Sequence, residues 1–294
     1  HVILHEAVRK RLPPGSVVTD CECVSVEQDE QGATVHFRRT STGAHRDSVR
    51  ADAAIACDGV NSALRKRFYP SDKLAFAGIN TWRGVTRMKP ILGGRTYIRV
   101  GSILTGKMVI YPIIDNVDGD GNQLINWMAE IKRDTTEQND WNKPGDLGDF
   151  FPLYADWRFP WLDVAQMIRE ADQILEYPMV DKDPVERWTF GRVTLAGDAA
   201  HPMYPRGSNG AAQAAIDART LADLLREHGD PRTALKAYEA ARCAVTAKVV
   251  RTNREHAPDF INIKVEELVG DRPFDTISVT LKCNSYFDRG EAPA

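Results

Sequence analysis

Asp198 follows Gly197 at the end of an apolar run, Val193 to Ala196. A loop with Pro202, Pro205, Gly207 and Gly210 comes next and leads into a helical pattern. A carboxylate at the end of a buried strand can accept hydrogen bonds from a ligand hydroxyl, as an acid does where nucleotide folds hold a sugar. A glycine-rich loop opening a helix leaves backbone N–H groups pointing outward, a seat for an anionic or strongly accepting ligand. The same pattern also suits a plain strand–loop–helix with a capped end. A second carboxylate, Asp58, ends the apolar run Ala51 to Cys57 and precedes Gly59. It falls at the carboxyl end of a strand, where α/β folds place ligands. Gly59 permits the sharp exit, and Asn61 or Ser62 can cap a helix from Ala63 to Phe68. His201 lies close to Asp198, but no Ser/His/Asp or Cys/His set accompanies it, and an acid–base role is the lesser reading.

Val2, Ile3, Leu4, Ala7, Val8 and Leu12 have helical spacing, and Pro13-Pro14-Gly15 stops that helix. Val17-Val18, Cys23 to Glu27, Ala33 to Arg39 and Ser48-Val49 predict a small antiparallel meander, with turns at Gln31-Gly32 and Thr42-Gly43. Ala51 to Cys57 predicts a buried strand in a parallel sheet. From about Leu74 longer strands are expected around Trp82 to Val85, Thr96 to Val100, Lys107 to Ile113 and Gln123 to Lys132. Asp118-Gly119-Asp120-Gly121 resembles the start of a calcium loop but lacks its closing glutamate, so a hairpin turn is expected. Glu137 to Asp146 reads as a loop. The segment through Asp149 to Tyr154 and Val164 to Ala171 suits either a lid or a docked helix. Leu175 to Met179 predicts a returning strand. A long helix runs from about Arg232 to His256, with Ala234, Leu235, Tyr238, Ala241, Val245 and Val249 on one side. Pro258 breaks it, and the polar end through Ala294 is expected to be mobile.

The chain has 294 residues, 43% hydrophobic and 27% charged, enough for one large or two ordinary domains with real cores. A net charge of -3 gives no footing for nucleic acid or an anionic membrane surface. No apolar run approaches the ~20 residues that span a bilayer, and no secretory leader is evident. Five scattered cysteines, with no second pair or nearby histidine, predict reduced thiols, no metal site and a cytoplasmic protein.

Two long stretches carry a family resemblance. GRVTLAGDAAHPMYPRGSNGAAQAAIDA, from Gly191, and ADAAIACDGVNSALRKR, from Ala51, resemble the flavin motifs of the single-component FAD-dependent aromatic hydroxylases. The first is similar in wording to the phenazine- and salicylate-modifying branch. The resemblance implies an α/β fold, with an incomplete, Rossmann-like FAD-binding domain, a mixed-sheet substrate domain and C-terminal helices. The expected division is 1–72 and 187–230 for FAD, 73–186 for substrate and 231–294 for a helical segment. It implies FAD as cofactor, with Gly197 and Asp198 on the ribityl chain, Asp58 and Gly59 near the pyrophosphate, and Gly207, Ser208, Asn209, Gly210 and Ala211 in the loop. Pro205 takes the catalytic place, its carbonyl facing the flavin's reactive edge, and His201 matches a structural loop histidine. Tyr204, Arg206, Trp82, Arg83 and Tyr111 are the substrate candidates. Arg206 suits an anionic aromatic acid or a surface salt bridge. Trp82, Tyr111 and Trp127 suit core filling equally well.

The implied activity is hydroxylation of a phenolic, aromatic-acid or phenazine-like ring with NAD(P)H and O2, through a flavin C4a-hydroperoxide, in a monomer or homodimer. Another FAD oxidoreductase on the same scaffold is an alternative, though the Trp-x-Trp-x-Ile pattern of halogenases is missing. A non-catalytic module is another alternative. No Gly-x-Gly-x-x-Gly occurs in the chain, which begins at His1. The expectation is a chain lacking the segment that holds the adenine half of the cofactor.

Overall fold

The computed structural model describes residues 2–134, 143–255, 260–270 and 272, without the side chains of residues 206, 260 and 261. In chain order the elements are α1 (Val2–Arg11), β1 (Glu22–Gln28), β2 (Ala33–Arg38), β3 (His45–Ala51), β4 (Ala54–Ala56), α2 (Ala63–Phe68), β5 (Leu74–Met88), β6 (Ile98–Ser102), β7 (Gly106–Ile114) and β8 (Gln123–Lys132). Then come α3 (Leu147–Tyr154), β9 (Arg158–Phe159), β10 (Leu162–Asp163), α4 (Val164–Arg169), β11 (Ala171–Lys182), β12 (Thr189–Phe190), β13 (Val193–Leu195), α5 (Gly210–Glu227), α6 (Pro231–Glu255) and α7 (Phe260–Val269). Val17-Val18 is not a strand, and β5 runs far beyond the Trp82–Val85 core that alternation marks. The Pro258 break and the chain from 273 onward, Cys283 included, lie outside the described residues.

Two compact units emerge. The first holds residues 1–73, 182–203 and 208–251; the second holds 74–181, 204–207 and 252–294. Of the expected C-terminal helical segment, residues 231–251 group with the first unit.

In the first unit, β1, β2 and β3 form an antiparallel meander. A second sheet has the order β12-β13-β4, with Val193–Leu195 parallel to Ala54–Ala56. Its core gathers Val26, Leu64, Trp188, Leu195, Leu221, Leu235 and Tyr238. Each such side chain contributes ~1.5–3 kcal/mol when fully buried. Helix α6 begins at Pro231, whose missing N–H costs nothing there, after Asp230, which accepts from Thr233 N. Its buried stripe departs from the expected one. Ala234, Leu235 and Tyr238 are buried, but the stripe continues through Arg242, Thr246 and Val250, while Ala241 and Val245 face solvent. Arg242 is held inside because a buried carboxylate pairs with it, an influence that apolar spacing does not register. Helix α1 forms, yet Val2, Ile3 and Leu4 are exposed.

In the second unit, a five-stranded sheet has the order β11-β5-β8-β7-β6. Strand alternation gives it two unlike faces. One face carries Trp82, Met108, Ile110, Ile125, Trp127 and Ala129 under Phe150 and Tyr154 of α3 and Val164, Met167 and Ile168 of α4. The α3–α4 segment is therefore a docked layer, its Phe150 only 1% exposed. Gly84 lies beneath Trp127: a Cβ there would sit 2.3 Å from the indole, so no other residue fits. Asp118-Gly119-Asp120-Gly121 is a turn, with the Asp118 side chain accepting from Asp120 N and Asn122 N. No group of metal-binding side chains occurs among the described residues, and none of their helices is long and apolar enough to cross a membrane.

Candidate functional site

The candidate residues divide between the two units. In the first, β13 ends in a 3-10 turn, Gly197–Ala199, that Gly197 enters at φ +57°. Left-handed backbone of this kind favours glycine. Asp198 emerges from the turn exposed, and its carboxylate makes no hydrogen bond to a described residue. A Cβ built on Gly210 would stand 4.0 Å from Asp198 Oδ1, so the carboxylate rests beside the first turn of α5. That helix starts its ladder with Gln213 N donating to Asn209 C=O (2.9 Å), and the Asn209 side chain does not cap it. Ala211 and Ala212 are exposed. Ser208 adopts φ +52°, an uncommon state for a residue with a side chain and one that costs of order 1 kcal/mol. An unspent acceptor and uncapped helix-start donors therefore lie together, with the helix dipole favouring negative charge there.

A buried network carries this turn. Asp217 of α5 accepts from Gly197 N (3.1 Å), meets His201 Nε2 (2.5 Å) and accepts from Arg242 Nε of α6 (2.8 Å). All three side chains are nearly inaccessible. Burial pushes the Asp217 carboxyl up, but the bonds from His201 and Arg242 outweigh it and hold the group below the ordinary carboxylate range. His201 is thus a buried structural partner, packed against Trp188, and not a residue of the exposed turn. Tyr238 is buried next to this network, and burial together with the Asp217 charge pushes its phenol up. Sequence reasoning missed Asp217 and Arg242. The one signal for Asp217 is its position seven residues, two helical turns, after Gly210.

The second motif resolves into a support for the same turn. Ser62 caps α2 by accepting from Arg65 N (2.9 Å), and Asp58 accepts from Ala63 N (2.9 Å). Gly59 takes φ +79° on leaving β4. The completely buried Arg65 reaches from α2 to the carbonyls of Ala199 (3.3 Å) and Ala200 (2.7 Å), directly behind Asp198. It also forks onto Asp72 and donates to Asp183 C=O, while Lys182 closes on Asp72 at 2.9 Å. Burial raises the Asp72 carboxyl, and the two cations bring it below its ordinary value.

In the second unit lie Tyr204, Pro205, Gly207 and the backbone of Arg206, whose side chain is outside the described residues. Tyr204 is buried with Ile79, Ile103 and Met179, and its hydroxyl donates to Ala75 C=O (3.4 Å); Pro205 is exposed. Of the sheet candidates, Trp82 and Arg83 point to opposite faces. Trp82 stacks on Phe150 (5.2 Å) within the helix-covered core, which removes it from the substrate candidates. Arg83 and Tyr111 share the other face. Arg83 Nε donates to Asn126 Oδ1 (2.6 Å), and Asn126 pairs across the strands with Tyr111. Tyr111 stacks on Tyr97 (5.6 Å), over which Arg99 lies. A buried ion pair, Lys107 Nζ to Glu130 Oε2 (2.8 Å), sits on this face as well. Neither it nor the Arg83–Asn126 bond is visible in sequence, because register across strands decides which side chains meet.

Residues 3–86 and 169–253 match the FAD binding domain family. The chain is 40% identical over 258 residues to phenazine 1,6-dicarboxylic acid hydroxylase PhzS of Lysobacter antibioticus, covering 86% of this chain and 63% of that protein. It is 33% identical over 263 residues to 3-amino-4-hydroxybenzoate 2-monooxygenase PtmB3 of Streptomyces platensis, covering 87% and 62%. Its fold is similar to that of Klebsiella pneumoniae HpxO complexed with FAD and uric acid, with a TM-score of 0.69 at 22% identity, covering 98% of this chain and 66% of that one. The chain thus spans under two thirds of the length of these curated relatives.

Proposed function

Because this chain belongs to the FAD-binding aromatic hydroxylase family, we propose that the protein carrying it is a monooxygenase that hydroxylates an aromatic acid, phenolic or phenazine-like, using NAD(P)H and O2. The observation that carries this reading is the pairing of an unspent carboxylate, Asp198, with the uncapped start of α5. The fit to FAD is chemical: Asp198 would hold it by accepting from sugar-alcohol hydroxyls, and the amides of Gly210 and Ala211 would supply donors to a ring system that gains negative charge on reduction. When bound, FAD supplies hydride acceptance and oxygen activation. The protein residues hold and orient. Gly197 shapes the turn, Asp217 and Arg65 fix it from behind, Asp58 and Gly59 would lie toward the cofactor's phosphate portion, and Ser208 and Asn209 lead the loop into α5. Pro205 and Tyr204 are assigned to substrate positioning, with Arg83 and Tyr111 on the sheet. No side-chain nucleophile is required, in keeping with the buried, fully engaged state of the Asp217 carboxylate. A monomer or homodimer in the cytoplasm completes the reading.

The test is product analysis under isotopically labelled dioxygen with the full-length, FAD-loaded protein. An aromatic acid should accelerate NAD(P)H oxidation and gain one labelled oxygen atom. Unstimulated oxidation that yields no hydroxylated product across phenolic and phenazine acids would overturn the assignment.

A further inference from the structure

Asn126 is completely buried on the Tyr111 face of the second unit's sheet. Its Oδ1 is taken by Arg83 Nε, which fixes the amide's orientation. Its Nδ2 is buried with no hydrogen-bond partner among the described residues. Buried polar nitrogens are nearly always paired, so an orphan here calls for an explanation. Arg83 is exposed, and Nε is its one guanidinium nitrogen bonded to a described residue, leaving both terminal nitrogens for a ligand. Tyr111 stands directly across from Asn126 and stacks on Tyr97. The set thus offers one permanent cation, an orphan amide N–H2 and an aromatic wall. The carboxylate on the same face, Glu130, is already paired with Lys107.

We infer that Arg83 and Asn126 together form the carboxylate-recognition site for the aromatic acid, with Arg83 supplying charge and the Asn126 amide supplying the directional donor. This rests on the monooxygenase reading and names the group that selects its substrate. Planar, charge-assisted pairing with a guanidinium is the usual way a carboxylate is held, and Arg83 reaches it while its Nε keeps Asn126 in place. A neutral ester or amide of the same ring would leave the cation unpaired and bind worse.

The test uses the full-length protein, with and without FAD, titrated by tryptophan fluorescence with 3-hydroxybenzoate, phenazine-1,6-dicarboxylate and their methyl esters. Wild type should bind the acids at least tenfold more tightly than the esters. Arg83→Gln and Asn126→Leu should each weaken the acids by roughly 10–100-fold, a loss of one or two charge-assisted bonds, and the esters by less than threefold. Arg83 is at the surface, so Arg83→Gln keeps the test decisive if Asn126→Leu fails to fold. Equal binding of acid and ester by wild type, or an acid preference unchanged in both variants, overturns the site. Loss of FAD uptake with the acid preference intact would instead fault the flavin reading, and FAD uptake with no acid preference would fault the site alone.

Discussion

At the residue scale, the decisive carboxylates have opposite fates. Asp198 is exposed and accepts from no described residue, whereas Asp217 is buried under three donors. Asp217→Asn keeps an acceptor for Gly197 N but leaves the buried Arg242 without its counter-charge. Breaking a buried pair from one side costs about 3–5 kcal/mol. Urea unfolding of Asp217→Asn should show a loss of that order; a loss under about 1 kcal/mol would mean the network is not what holds the turn. Acidity gives a second check. The folded carboxyls of Asp72 and Asp217 lie below their ordinary value of 3.8. A depressed group binds fewer protons folded than unfolded, so its stabilisation is complete above the unfolded pKa, about 4, and is lost as pH falls through the folded value. Stability should therefore drop below about pH 4, and less steeply in Asp217→Asn; equal slopes would separate Asp217 from acid unfolding.

At the scale of elements, α2 works as an anchor. Arg65 ties it to the two carbonyls after Asp198, and lysine has neither the fork nor the reach to replace it. Arg65→Lys should destabilise by several kcal/mol in chemical unfolding, on the order of a broken buried pair, and weaken FAD binding in a flavin titration. Strand β5 depends on Gly84 in a different way. A methyl group would enter the Trp127 ring, so Gly84→Ala should cost about 1–3 kcal/mol or more in chemical unfolding. Wild-type stability in that variant would show that the sheet yields there.

The same elements show what sequence could and could not reveal. Strand β8 and helix α2 were legible to the residue, because alternation and a serine cap are local signals. The turns at Gly59 and Gly197 were legible because only backbone freedom explains glycine before or after a strand-ending aspartate. The buried face of α6 was not, since Arg242 and Thr246 are inside only by virtue of partners on α5 and within α6. Trp82 looked like pocket wall beside Arg83, yet adjacent residues on a strand must face opposite ways. Asn126 became notable only when its unpartnered nitrogen was in view.

For the molecule as a whole, there are two compact units, each with its own core. The first unit presents the Asp198 turn and the α5 start. The second has one sheet face sealed by helices and the other lined by Arg83, Tyr111 and Tyr204. Ligand that binds only the folded state should stabilise it by about 2.7 kcal/mol at a hundredfold excess over Kd. Thermal unfolding with FAD should rise accordingly, and a melting temperature indifferent to FAD would deny a native-state site. The most direct measurement is an equilibrium titration of FAD, followed by flavin fluorescence, into the full-length protein and into Asp198→Ala. Wild type should bind and retain flavin, while Asp198→Ala, unchanged in circular dichroism, should bind at least tenfold more weakly. Equal affinity in the two proteins would contradict the claim that the turn after β13 and the opening of α5 hold the cofactor.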